Sequence, residues 1–190
     1  MSAAHRPDAL GAPTLSDRLA AAARDGRIER AAAAVAVLAL ALWVGGLVAL
    51  GACAAPLVFG LVPAPWSGDA MGAVFRRFDS IAITCAVVVL ASDALRTVIA
   101  PRGRRPSPAE RARGLFAVVA ALAAIYTGVQ ISPKIVALHA EGAVRGFGEA
   151  GMALERLHRV AETLGKIEVS FGLVLLVLEV LTLRARKDGA

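Results

Sequence analysis

The chain has 190 residues, of which 57% are apolar and 19% charged, with a formal net charge of +6. Soluble domains hold roughly 45–50% apolar residues, and a mean hydropathy of +0.66 excludes an ordinary soluble domain. The positive charge is not a nucleic-acid signal, because the basic residues gather in short segments between apolar blocks, as topology determinants do. Arg outnumbers Lys 18 to 3, a bias expected of a GC-rich, bacterial genome.

In chain order, residues 1–30 form a cytoplasmic arm, expected to be partly disordered, with an amphipathic turn or two over Ser16 to Ala23. The first apolar block runs from Ala31 to Val62 without a charge. It exceeds the roughly 20 residues that a hydrocarbon core requires, so it should tilt or project beyond the bilayer. Leu50-Gly51-Ala52-Cys53 loosely matches a lipoprotein cleavage box. The long arm before the block, and the apolar run continuing through Leu57, Val58, Phe59 and Leu61, favour a retained anchor. Small residues recur every fourth position at Ala41, Gly45, Ala49 and Cys53, a pattern that lets helix backbones approach closely. Pro56 should bend the outer part of this helix.

The second block runs from about Met71 to Ala100, with an uncharged centre from Ser80 to Ser92 and Asp79 and Asp93 at its edges. The connector Pro101–Pro108 is rich in Pro, Gly and Arg and reads as a flexible loop. Ser107 with Glu110 fits a capping box opening the third helix. That block spans Gly114 to Ser132, and Pro133 follows. The fourth apolar run is Val169 to Leu183, interrupted by Glu179. The helical spacing of Leu154, Leu157, Ala161 and Leu164 extends it outward, so Glu149–Leu183 reads as one helix that starts outside the membrane. Residues 184–190 form a cytoplasmic tail. The fold expected is all-α: an integral-membrane four-helix bundle over residues 31–183, with a helical extension on its outer side and no internal repeat.

Basic residues orient the spans. The arm, the connector and the tail hold 14 of them, and the two opposite loops hold 7. By the positive-inside rule both termini should be cytoplasmic, in a multi-pass protein of the cell inner membrane.

Charges within a span are costly and usually find partners. Asp93 and Arg96 are three residues apart and can pair, while Glu179 enters the same layer and can pair with Arg96 or Arg184. Cys53 and Cys85 sit at similar depth; without a C-x-x-C motif they read as small apolar side chains at a helix contact. The outer half is more polar. Tyr126, Gln130 and Lys134 share one face of the third helix, and His158, Glu162, Lys166 and Ser170 share one face of the fourth. Asp79 and Thr84 join them from the second. His158, Glu162, Lys166, Gln130 and Asp79 are therefore the candidate polar site. They form either a cavity open to the outside, for an ion or small molecule, or a solvated helix extension with surface ion pairs. His158 should sit near the outer membrane surface and bond a polar partner, with Asp79 and Gln130 first in line. His139 and His158 have no zinc spacing, and no His lies in an apolar block to hold a haem. No P-loop, G-x-S-x-G or H-E-x-x-H motif is present. The chain is expected to have no catalytic residues, metal or cofactor, and not to be an enzyme. Its expected partners are the lipid bilayer and either itself or another membrane protein, with no nucleic acid.

Three segments carry a family resemblance: Leu42-Trp43-Val44-Gly45-Gly46, Ala55-Pro56-Leu57-Val58-Phe59 and Met71-Gly72-Ala73-Val74-Phe75-Arg76-Arg77-Phe78. They resemble the start of the transmembrane-protein-205-like family, a four-helix membrane domain of unknown function. Ala153-Leu154-Glu155-Arg156-Leu157-His158-Arg159 resembles the family's F-x-x-x-H-x-x-S opening of the last helix, with His158 at its His and Ala161 in place of its Ser. The resemblance covers roughly Ala34 to Leu183 and implies four helices and membrane residence, without a reaction. The Trp43–Gly46 run also resembles copper-resistance D-type membrane proteins, whose helices carry His and Met that this chain lacks in the membrane. Two functional readings follow. One is a non-catalytic structural or interaction protein that assembles through the Ala41, Gly45, Ala49, Cys53, Pro56 face. The other is a small transporter or binding module with an outward polar cavity.

Overall fold

A computed structural model of the chain describes residues 15–63, 65–100 and 104–185. All elements among them are helical. α1 (Leu15–Val48) passes through a π-helical turn (Ala49–Ala54) into α2 (Ala55–Leu61). α3 (Trp66–Ile99) follows, then α4 (Pro108–Tyr126), a second π-helical turn (Thr127–Ile131), α5 (Ser132–Ala140) and α6 (Gly148–Ala185). α1 packs on α3 and α6, and α4 packs on the same two, closing a four-helix ring with an up-down-up-down path.

Among the described residues, three helical stretches are long and apolar enough to cross a membrane: Gly26–Leu61, Trp66–Ile99 and Pro108–Ala140. The 34 residues of α3 rise about 50 Å at 1.5 Å each, against a hydrocarbon core of about 30 Å. The ring turns large apolar side chains outward on every side, among them Leu38, Leu42, Leu115, Leu122, Leu173 and Val177. In water such a surface would aggregate; facing acyl chains it costs nothing.

The interior is built from close helix contacts. α4 buries Ala117, Ala120, Ala121 and Ala124, and these small side chains let its neighbours approach. Trp43, Leu40, Leu154 and Leu175 are the largest fully buried side chains. Phe116 stacks on Phe171 with ring centroids 5.1 Å apart. A Cβ on Gly46 would fall 2.2 Å from Phe78, so glycine is what allows α1 to meet α3 there.

Several expectations change in detail. The chain from Leu15 is not a separate surface turn but the start of α1, unbroken to Val48. The part of the arm before it, the start of the Pro101–Pro108 connector and the tail beyond Ala185 lie outside the described residues. The third block does not stop at Pro133 but continues as α5 to Ala140. Cys53 and Cys85 are both free and differ in setting: Cys85 is buried in the core and Cys53 is exposed. The Ser107–Glu110 capping box forms as expected, with both reciprocal hydrogen bonds present.

Candidate functional site

Proline organises the half of the bundle distal to the α3–α4 connection. Its ring lacks an N–H and collides with the carbonyl four residues back. At both Pro56 and Pro133 the chain opens into a wider turn just before the ring. The Ala55 N–H reaches back to the Leu50 carbonyl and the Ser132 N–H to the Thr127 carbonyl, five residues in each case. The two helices that run in the same direction, α1 and α4, therefore carry the same device, one on each side of the ring. Such turns free side chains from helical register.

The second π turn touches two carboxylates. Ser132, just past it, donates to Asp79 Oδ2 on α3 at 2.5 Å. Thr127, at its start, lies with Oγ1 3.4 Å from Glu168 Oε1 on α6. Glu168 is buried in the bundle, where the Trp43 indole N–H donates to its Oε2 at 3.0 Å. Among the described residues neither Asp79 nor Glu168 has an ion-pair partner; both are held by neutral donors. Gly128, inside the turn, brings α4 against α3: a Cβ there would stand 2.9 Å from Ile83 and 3.2 Å from the Asp79 Cβ. A groove of about 590 Å³ opens at this crossing. Arg76, Asp79, Ser80 and Ile83 form its α3 wall, facing Ser132 and Val136.

The acids nearer the chain termini are handled differently. Arg96 on α3 pairs with Glu179 on α6 at 2.6 Å, and Arg113 on α4 pairs with Asp93 on α3 at 2.6 Å. Arg113 also stands 3.6 Å from Glu179, linking the two pairs into one neutral network. The Arg96–Glu179 pairing matches one expectation, and the Asp93–Arg96 pairing is replaced. Arg113 wins Asp93 because it faces α3 from the first turns of α4. The Arg96 Nε is the one buried side-chain polar atom without a partner among the described residues.

The polar residues singled out at the outer end do not converge. The His158 Nδ1 bonds the carbonyl of Leu154 on its own helix at 3.0 Å. Its ring meets His139 of α5 edge-on, with centroids 5.9 Å apart. Its neighbour is thus His139, in place of the expected Asp79 or Gln130. Glu162 and Lys166 are exposed and pair with each other at 2.8 Å. Lys166 holds the Glu162 carboxyl below its usual range. Gln130 is exposed on the π turn. Below the loop joining α5 to α6, Arg145 clasps Glu155, whose carboxyl it holds below the usual range. Gly151 fits under that loop, where a Cβ would meet the Val144 carbonyl oxygen at 2.0 Å.

The small-residue face of α1 points away from the bundle. Ala41, Gly45, Ala49, Cys53 and Pro56 are all exposed, and nothing lies within 4 Å of a Cβ built on Gly45. The opposite face supplies the core contacts Leu40, Trp43 and Val44.

Sequence reasoning passed over Glu168, Trp43, Thr127 and Ser132. Glu168 was visible as a carboxylate at the opening of the fourth span, and Trp43 as the one indole inside the first. Their pairing across 125 positions leaves no spacing signal. Among the described residues no group of three or more His, Cys, Asp or Glu side chains is placed to hold a metal ion.

The fold and its lipid-facing surface define a small multi-span helical membrane domain. Residues 38–144 match the model of a family described as a domain of unknown function, DUF4149, and the chain belongs to that family. The match runs from the middle of α1 past the end of α5. No curated protein and no solved structure matches the chain.

Proposed function

We propose that the protein is a non-catalytic component of a bacterial inner membrane that assembles, with itself or with another membrane protein, through the small-residue face of α1. The observation carrying this reading is that Ala41 and Gly45 of α1, and Ala49 and Cys53 of the π turn that continues it, are all exposed, while Leu40, Trp43 and Val44 of α1 pack the bundle. In lipid, apolar burial drives no association between helices. Close backbone approach does, and small residues every fourth position permit it. In this reading α6 is the fourth span, both termini are cytoplasmic and two loops face outward, in line with the 14 to 7 distribution of basic residues.

The transporter reading has less support. Glu162 and Lys166 satisfy each other at the surface, and Gln130 is exposed rather than lining an enclosed space.

The test uses two adjacent glycines. Gly45→Leu adds a side chain to open space, so the bundle should fold unchanged while association in lipid nanodiscs falls. Gly46→Leu drives a side chain into Phe78 and should damage the fold itself. Unchanged association in Gly45→Leu would remove the basis of the reading.

A further inference from the structure

Among the described residues the bundle buries two carboxyl side chains, Glu179 and Glu168, with 2% and 4% exposure. Their surroundings differ. Glu179 lies between two guanidiniums, 2.6 Å from Arg96 and 3.6 Å from Arg113. Glu168 has no cation against it. α1 carries no charge after Arg30, and α4 and its π turn carry none after Arg113. From α3 the charge that acts on Glu168 is Asp79, of the same sign. On α5, Lys134 is exposed and His139 faces His158. On its own helix, Lys166 is exposed and paired with Glu162. Arg76 is exposed as well. An ionised carboxylate in such a place is costly, and the neutral acid is not. The hydroxyl of Thr127 leads to the same answer by counting protons. A threonine has one hydroxyl proton to give. Thr127 Oγ1 stands 2.9 Å from the Ala123 carbonyl and 3.4 Å from Glu168 Oε1. The carbonyl can only accept, so the shorter contact takes the proton, as in the usual back-bond of a helical threonine. Thr127 then meets Oε1 with a lone pair, and a proton between the two oxygens comes from Glu168. Its other oxygen, Oε2, accepts from the Trp43 indole at 3.0 Å. With Glu168 neutral every one of these polar atoms is satisfied; with Glu168 ionised, two lone pairs face each other.

We infer that Glu168 is a reversible proton-binding site within the bundle, protonated on Oε1 and reached from the groove that Asp79 lines. Thr127 opens the second π turn and Ser132 follows it, so one turn holds Glu168 on one side and Asp79 on the other. Asp79 and Ser132 both line the groove of about 590 Å³, which gives water a way to this turn. On release the Oε1–H bond breaks, its electron pair stays on the carboxylate, and the proton leaves to water in the groove. Uptake is the reverse. The inference does not rest on the exposed small residues of α1, so the assembly reading can fail without it.

The experiment is infrared spectroscopy of the full chain in lipid nanodiscs, titrated with acid and base and transferred between light and heavy water. At neutral pH, where an ordinary glutamate with its pKa of about 4.3 is ionised, the wild type should show the carbonyl stretch of one protonated carboxylic acid. The band should fade on raising the pH and return on lowering it. Glu168→Gln should remove it, and Glu162→Gln, which alters an exposed acid, should leave it in place. Asp79→Asn should keep the band and weaken proton affinity about tenfold, because a like charge has been taken away. Val136→Trp fills the groove and should slow the shift of the band in heavy water without removing it. If Glu168→Gln fails to fold, wild-type protein labelled at the side-chain carboxyl carbon of glutamate answers the same question: the band should move with that label and not with one on aspartate. A wild type without the band at neutral pH would overturn the inference. So would a band that survives in Glu168→Gln or follows the aspartate label. Unchanged affinity in Asp79→Asn, or unchanged exchange in Val136→Trp, would overturn the route through the groove.

Discussion

Arg96 and Glu179 meet 2.6 Å apart inside the bundle, with side chains only 5% and 3% exposed. They join helices α3 and α6 across 83 positions of the chain. Arg113 bridges this pair to Asp93, so two cations and two anions from three helices share one enclosed layer. Removing one member leaves an uncompensated charge, whereas removing a matched pair does not. Glu179→Gln or Arg96→Met should each lower unfolding stability in detergent by about 3–5 kcal/mol. The double variant Arg96→Met/Glu179→Leu should recover a large share of that loss. Additive losses in the double-mutant cycle would show that the two side chains do not act as a pair.

Trp43 anchors Glu168 in the same manner, with an indole donor in place of a guanidinium. Trp43→Phe keeps most of the ring and removes the donor, and should cost about 1–3 kcal/mol for the carboxylate left short of a partner. The chain has two tryptophans, and Trp66 is exposed while Trp43 is buried. In a Trp66→Phe background the emission should therefore be blue-shifted and shielded from aqueous quenchers. Emission typical of exposed tryptophan would contradict the buried hydrogen bond.

Much of the bundle was legible because hydrophobic length and charge placement act locally. The uncharged run from Ala31 to Val62 and the Ser107–Glu110 cap each announce an element within a few residues. The paired acids were legible as expensive groups needing partners, but not the choice of partner. Asp93 has Arg96 on its own helix and still bonds Arg113, because side-chain direction at a helix crossing decides the contact. The continuation past Pro133 was hidden for a related reason. Proline reads as a stop, and only the five-residue hydrogen bond at Ser132 shows how the helix carries on. His158 was expected to look across to α3 or α4, yet it lies against His139, which α5 could supply only by continuing beyond the proline.

The loop between α5 and α6 is held by backbone fit as well as charge. Gly142, Gly146 and Gly148 have positive φ, and Gly151 lies under the Val144 carbonyl. Gly151→Ala should free this loop and raise its rate of cleavage by limited proteolysis severalfold, leaving the helical content of the bundle unchanged. Cleavage at the wild-type rate would show that the close approach is not needed. Acidification should act at the same place through Glu155. Its carboxyl is depressed by Arg145, so the contribution of the clasp is present above the ordinary glutamate pKa of about 4.3 and is lost as pH falls through the lower folded value.

Orientation rests on the distribution of basic residues. Reporter fusions after Lys187 and within the Gly142–Gly151 loop should give opposite signals, with the former cytoplasmic. Like signals from the two sites would mean that α6 does not cross the membrane.

Assembly through α1 is tested most directly by oxidative cross-linking in native membranes, because Cys53 is exposed on the small-residue face and Cys85 is buried in the core. The wild type should give a cross-linked species of higher mass that Cys53→Ser abolishes, Cys85→Ser leaves in place, and Gly45→Leu strongly reduces. A chain that stays uncross-linked at Cys53, or a product that persists undiminished in Gly45→Leu, would contradict the account.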